Sequence, residues 1–408
     1  MKKSGLWTAD FTKITVATAF SIIAGEAMNL PVSLLVFEQT KSTLLSAMIM
    51  VLGVLPDLLF GVLIAPMIDR GNKKRWIVGM DLVMIAFYLI MGVITRLTAF
   101  SFLLYAVFVF AVATDSVFYR LAYEAWYPEL ISSGNEQKGY SVSSTLYPLI
   151  TIIIAPISTF LYEHVSISTI FFVVAGILFF AVLTEGSICK ESGAVQEGYS
   201  FAKWKADIAE GFRYFKKEKG IRNLYTYMSC STGVGEGVNV LTQAFYQTQP
   251  LLSVTMLGFL KSAEMIGRLI GGLVHYKVNF SAKKRYGITV FVYFIYQIAD
   301  MILLFTPYSA MLGNRFVIGF LGTNSYTLRT TAVNNYMPAQ IRARVNALSG
   351  MLIAVAIIVF NLLAGALGQV MSYRKAILIL GAFGLLSIVI LIVIPGKDVR
   401  KVYEAQSK

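Results

Sequence analysis

Gly25-Glu26-Ala27-Met28-Asn29-Leu30 returns 210 residues later as Gly235-Glu236-Gly237-Val238-Asn239-Val240. Each copy places one carboxylate in the middle of a long apolar segment. The same shift carries Gly61, Leu63, Ile64, Ile68, Asp69, Lys73, Lys74 and Arg75 onto Gly271, Leu273, Val274, Val278, Asn279, Lys283, Lys284 and Arg285. It also carries Ala122, Pro128 and Ile131 onto Ala332, Pro338 and Ile341. A single offset that matches three separated segments marks an internal duplication, and predicts two copies of one membrane unit.

Composition sets the class. Of 408 residues, 57% are hydrophobic and 14% charged, and the mean hydropathy is +0.68. A soluble chain of this size cannot hide so much apolar surface and keep a polar exterior. Apolar runs of about twenty residues recur, each long enough to cross roughly 30 Å of hydrocarbon as a helix. The first such run, from near Thr12, is too long for a signal-peptide core, so no cleaved leader is expected. Two cysteines, Cys189 and Cys230, imply no disulfide framework, and two distant histidines, His164 and His275, argue against a metal centre or a histidine-based hydrolase. No Gly-Lys-Ser/Thr phosphate loop occurs, so ATP hydrolysis is not expected. No cofactor and no bound metal are expected.

Spans are predicted near 12–37, 44–66, 76–95, 100–125, 140–161 and 167–188, and again near 223–246, 254–276, 286–306, 309–333, 343–371 and 376–395. The fold expected is all-α and integral to the membrane: twelve transmembrane helices in two six-helix bundles related by a pseudo-twofold axis. The domains are then 1–188, a cytosolic linker 189–222, a second bundle 223–396 and a cytosolic tail 397–408. In the linker, Phe201, Trp204, Ile208, Phe212 and Phe215 form one apolar stripe beside lysines and arginines, as in a helix lying on the inner membrane surface. Basic residues set the orientation. With both ends inside, 26 of the 35 lysines and arginines are cytosolic, 4 are outside and 5 lie within spans. The net charge of +13 is thus a membrane-orienting pattern, and no nucleic-acid partner is expected. The location expected is the cytoplasmic membrane, multi-pass, with both termini cytosolic.

The stretch Gly61-Val-Leu-Ile-Ala-Pro-Met-Ile-Asp69-Arg70-Gly71-Asn-Lys73-Lys74-Arg75 resembles the inner-loop signature of the major facilitator superfamily. Its degenerate copy at 271–285 stands where that family repeats it. Twelve spans, a long central loop and a parallel duplication extend the resemblance over essentially the whole chain. Asp81 and the Glu-Gly-Phe-Arg-Tyr segment at 210–214 look most like the macrolide-efflux and drug:proton antiporter branch. The fifth span keeps the family's proline, Pro156, without flanking glycines. The resemblance implies that the first and seventh spans line a central cavity. It also implies that Gly61, Asp69, Arg70, Gly71, Lys73, Lys74 and Arg75 latch the halves in one state.

Ionisable groups at bilayer depth cost several kcal/mol unless paired, hydrated or neutralised. Glu26 and Glu236, each with an asparagine three residues on (Asn29, Asn239), are the leading proton- or substrate-binding candidates. As carboxylates facing each other, desolvated and mutually repelling, they suit proton exchange for a cation. The bland alternative makes each a fixed partner of serine or tyrosine hydroxyls. On the eighth span Lys261, Glu264 and Arg268 form a stripe in which Glu264 pairs with either base; it is a polar wall for substrate or a self-neutralised triad. Asp57 and Arg329 are further candidates. Equal depth on neighbouring spans predicts structural ion pairs Asp81–Arg120 and Asp300–Arg315. Tyr119, Tyr123, Tyr225, Tyr293, Tyr296 and Tyr326 suit a pocket for an amphipathic ligand or plain interfacial packing.

The function expected is secondary active transport by alternating access: proton-coupled efflux of a small amphipathic, drug-like compound. The chain is expected to be no enzyme, and to act as a monomer whose partners are a small-molecule substrate, protons and the lipid bilayer. A lipid or glycolipid flippase of the same fold and a non-transporting membrane sensor are the alternatives.

Overall fold

The computed structural model describes residues 5–190, 201–277 and 281–405, without the side chains of 62, 63, 65, 66, 69, 70, 201–205, 207, 208, 275–277, 339 and 343. The described residues form fourteen α-helices: α1 Ala9–Thr40, α2 Thr43–Arg70, α3 Lys73–Leu97, α4 Phe102–Leu130, α5 Glu136–His164, α6 Ile167–Gly186, α7 Phe201–Lys217, α8 Lys219–Thr248, α9 Val254–Lys277, α10 Ala282–Ile302, α11 Tyr308–Tyr336, α12 Ala339–Val370, α13 Tyr373–Ile388 and α14 Gly396–Tyr403. Nine of them are long and apolar enough to cross a membrane. The three remaining long helices, α8, α9 and α11, are the ones loaded with Glu236, with Lys261 to Arg268, and with Arg315 and Arg329. At 1.5 Å per residue each still reaches beyond roughly 30 Å. Their polar side chains, not their length, lower their hydropathy.

The chain divides into two compact units. The first comprises Met1–Gln39, Leu52–Ser200 and Ser253–Ser262; the second comprises Thr40–Val51, Phe201–Leu252 and Ala263–Lys408. One boundary, between Ser200 and Phe201, falls within the expected linker, and the division also cuts α2 and α9. The cause is a pair of close helix approaches. In the first unit, Gly258 of α9 lies against α5, where an added Cβ would sit 2.6 Å from the Ala155 carbonyl oxygen. In the second, Gly365 of α12 lies against α2, where a Cβ would sit 2.7 Å from that of Ala47. Small residues let helix backbones meet this closely inside a membrane fold. The 210-residue shift relates the two approaches: Ala155 corresponds to Gly365, and Met48, next to Ala47, to Gly258.

The α5 approach is completed by proline chemistry. Pro156 has no N–H, which frees the Ile152 carbonyl four residues earlier. The Ser262 hydroxyl of α9 donates to that carbonyl at 2.6 Å. At the other end, Glu163 of α5 accepts from the Val254 N–H at 2.5 Å and from the Thr255 hydroxyl, placing an acid on the N-terminus of α9. Ser262→Ala is expected to leave a buried carbonyl unpartnered and to cost about 1–3 kcal/mol. A thermal shift in detergent reads this, and an unchanged midpoint removes the Ser262 bond as a stabilising contact.

Within the first unit, α3 and α6 pack face to face. The Ser168 hydroxyl donates to the Gly92 carbonyl at 2.6 Å, and Tyr88, Phe108 and Phe171 form a trio with ring centroids 5.3–6.1 Å apart. A second core gathers Phe11, Ile68, Ile77, Trp126 and Ile131. The C-terminal carbonyls of α6 and the residues after it receive cations: Lys74 donates to Gly186 and Ile188, and Lys13 to Ser187.

In the second unit, α8 lies against α12 through Gly233 and Gly237, which face the backbone at Ala356 and Phe360. Gly267 and Gly271 of α9 seat on Phe316 and Phe320 of α11, and Gly319 of α11 seats on the Glu264 carbonyl. Gly319→Val forces these helices apart and is expected to destabilise by about 1–3 kcal/mol, read as a lower melting midpoint; a neutral effect contradicts the crossing. Over the described part of the stretch expected as a cytosolic tail, 397–408, α14 buries Val399, Val402 and Tyr403, and the Tyr403 hydroxyl meets that of Tyr293 at 2.7 Å. Apolar residues at 399, 402 and 403 give the short helix one face to bury.

Candidate functional site

Glu26 is buried in α1, with 5% of its surface exposed. Three side chains meet it. Lys261 of α9 brings its ammonium to 3.0 Å from Oε2. Tyr147 of α5 donates its hydroxyl to Oε1 at 3.0 Å. Asn29, one turn on, donates its amide to the same oxygen at 3.4 Å. All four residues lie in the first unit. Helical spacing explains Asn29, since residues three apart share a face. Lys261 and Tyr147 arrive through α9 and α5, which the Gly258 approach and the Ser262 bond hold together.

The carboxylate is therefore ion-paired. A cation that the sequence reading did not place there stands beside Glu26. Lys261 also corrects the picture of α9. Glu264 takes Arg268, four residues on, at 2.7 Å, while Lys261 reaches Glu26 instead. The choice follows geometry: Glu264 to Arg268 is a well-oriented one-turn pair, and a buried carboxylate without a counter-ion would be the costlier arrangement. Tyr147 was not legible as a site residue; its only signal was a hydroxyl-bearing ring inside an apolar span.

The repeat holds in the second unit. Asn239 donates to Glu236 Oε2 at 3.4 Å, matching Asn29 and Glu26 in distance and spacing. Arg329 sets one guanidinium nitrogen 2.8 Å from the Met228 sulfur and lies over the Tyr326 ring at 5.3 Å. Tyr225 donates to Asn346 at 2.7 Å.

Of the two predicted structural ion pairs, one is formed. Arg315 of α11 lies 3.1 Å from Asp300 of α10, and both are buried. The Asp81–Arg120 pair is corrected. Arg120 turns to Asp57 and, at 3.5 Å, to Glu124, while Asp81 accepts from Ser21 at 3.4 Å. Equal depth is not enough; α3 and α4 turn these two side chains to different faces. Asp57 is thereby a salt-bridge partner on a half-exposed surface. At the α2–α3 connection, Lys73 pairs with Glu129 at 2.8 Å, Asn72 caps α3 by accepting from the Arg75 N–H, and Gly71 gives room to the Trp76 ring. The side chains of Asp69 and Arg70 lie outside the described residues.

Two helical units and spans of membrane length define a multi-pass membrane fold. The family profile of the major facilitator superfamily matches residues 14–306 and 228–407. The chain belongs to the major facilitator superfamily, and is thus a transporter and not an enzyme. It is 22% identical over 282 residues to macrolide efflux protein A of Streptococcus pyogenes, covering 67% of this chain and 68% of that protein. Its fold is similar to a bacterial homologue of the human lysosomal transporter Spinster in an inward-facing, unoccupied conformation (TM-score 0.64, 14% identity, 97% and 96% of the two chains). It is also similar to a mutant peptide transporter POT bound to alafosfalin (TM-score 0.77, 10% identity, 98% and 97% covered) and to a mutant of the nucleoside transporter NupG (TM-score 0.71, 12% identity, 94% and 99% covered).

Proposed function

We propose that the chain exports a small amphipathic, cation-bearing compound in exchange for protons, by alternating access in the cytoplasmic membrane, with both termini cytosolic. The observation that carries this reading is the buried Glu26–Lys261 pair, braced by Tyr147 and Asn29. A carboxylate inside the membrane tolerates one of three neutralisers: a fixed ammonium, a proton, or the positive group of a ligand. Lys261 is on a long flexible stem that can withdraw. A proton or a cationic substrate then takes its place on Glu26, and the two compete for one anion. Competition of that kind is what makes uptake of protons drive release of substrate.

Glu236 with Asn239 is the corresponding proton or substrate site of the second unit. Glu264, Arg268 and Arg329 are its secondary polar contacts, and the loop from Gly61 to Arg75 is the conformational latch. The similarity to macrolide efflux protein A favours export and a bulky amphipathic substrate. The test is transport by purified protein in proteoliposomes with an imposed pH gradient, screened over cationic dyes, macrolides and lysolipids. Gradient-driven movement of a cationic compound is the expected result. Movement of lysolipids alone, with no dependence on the gradient, overturns the reading in favour of a lipid translocator.

A further inference from the structure

One cluster of ionisable groups lies apart from Glu26 and has no counter-ion. Asp81 of α3 and Glu185 of α6 are both buried in the first unit, 4% and 0% exposed, and the hydroxyls of Tyr119 and Ser21, 3.5 Å apart, bridge them. Asp115 of α4 is also buried. The Tyr119 hydroxyl donates to Glu185 Oε1 at 3.0 Å, and the Ser21 hydroxyl donates to Asp81 Oδ2 at 3.4 Å. Glu185 Oε2 and both oxygens of Asp115 are buried without a hydrogen-bond partner.

The surrounding helices supply no cation to this cluster. From α1 come Ser21 and Lys13, whose ammonium is on the Ser187 carbonyl. From α3 come Tyr88 and Lys74, the latter held by the Gly186 and Ile188 carbonyls. From α4 come Tyr119, Tyr123 and Arg120, whose guanidinium belongs to Asp57 and Glu124. Among the described residues no lysine or arginine pairs with Asp81, Asp115 or Glu185.

Two carboxylates bridged by hydroxyls, shut from water and without a cation, each lose hydration with nothing to offset it. One proton on the pair lowers that cost, and the bridging hydroxyls couple the two acids so that they titrate together. We infer that Asp81 and Glu185 form a proton-binding site inside the first unit, holding one shared proton, separate from the Glu26–Lys261 pair. The Tyr119 and Ser21 hydroxyls link the pair, one donating to each acid. The site does not depend on the efflux reading, because it follows from packing within one unit.

Infrared spectroscopy of the full chain in lipid nanodiscs at neutral pH tests it. A protonated carboxyl gives a C=O stretch above the amide band, and this stretch shifts in heavy water. The expected result is such a band that is lost in Glu185→Gln and equally in Asp81→Asn, while Glu26→Gln leaves it in place. Isotope-labelled glutamate in the unmutated chain is expected to shift the same band, which keeps the test valid should either variant not fold. Absence of a glutamate-sensitive protonated band overturns the proposal, and so does its disappearance on adding sodium, which would make the pair a metal-cation site. Transport failing in proteoliposomes while the band persists would count against the efflux reading alone.

Discussion

Glu26→Gln is expected to bring gradient-driven transport down by at least about ten-fold, the factor that roughly 1.4 kcal/mol of lost interaction produces, while the protein still inserts and folds. Glutamine keeps the shape of the side chain and can still accept from Tyr147 and Asn29, whose contacts lie at 3.0 and 3.4 Å. It cannot be ionised, so it neither holds Lys261 by charge nor exchanges one cation for another. The loss should be one of coupling: an imposed pH gradient ceases to drive uptake or release, while binding of an uncharged analogue persists. Counterflow and gradient-driven assays on the same proteoliposomes separate the two. Full gradient-driven activity in Glu26→Gln would remove this residue from the proton pathway. Lys261→Met gives the converse variant, in which Glu26 loses its fixed ammonium and binds a cationic substrate more tightly than the unmutated protein does.

The second large effect is on stability. Arg315→Met leaves the Asp300 carboxylate buried with its 3.1 Å partner gone. Breaking a buried pair by removing one member costs on the order of 3–5 kcal/mol. The expected outcome is a sharply lower melting midpoint and poor recovery of folded protein. The double variant Asp300→Asn with Arg315→Met removes both charges and should recover much of the loss, because no bare charge remains. A double variant as unstable as the single one would mean that Arg315 acts through packing and not through its charge.

These two sites show different degrees of legibility. The Asp300–Arg315 pair was readable because both residues fall at matching depths on consecutive helices joined by a short connection. Asp81 and Arg120 offered the same depth argument, yet helix rotation turned them apart, and Arg120 went to Asp57. Glu185 lies at the end of the expected span 167–188, where an acid reads as solvated, whereas the fold buries it against the Tyr119 hydroxyl. Glu129, also near a helix end, reads as solvated in the same way until Lys73 is seen beside it.

The amino-acid string by itself determined the duplication, the helical membrane class and the residues whose burial needs a reason. Those properties are local or periodic: hydropathy over a window, a repeated offset, a charge inside an apolar run. Tertiary structure alone decided which charge meets which. Pairing depends on the rotation and close approach of helices distant in sequence, set here by glycines at 258, 319 and 365 and by the carbonyl that Pro156 frees. A shift of one residue turns a side chain by roughly 100° about its helix axis, so hydropathy and depth narrow the choice of partner without fixing it. That is why Lys261 reaches Glu26 on a distant helix, and why Arg120 meets Asp57 and not Asp81.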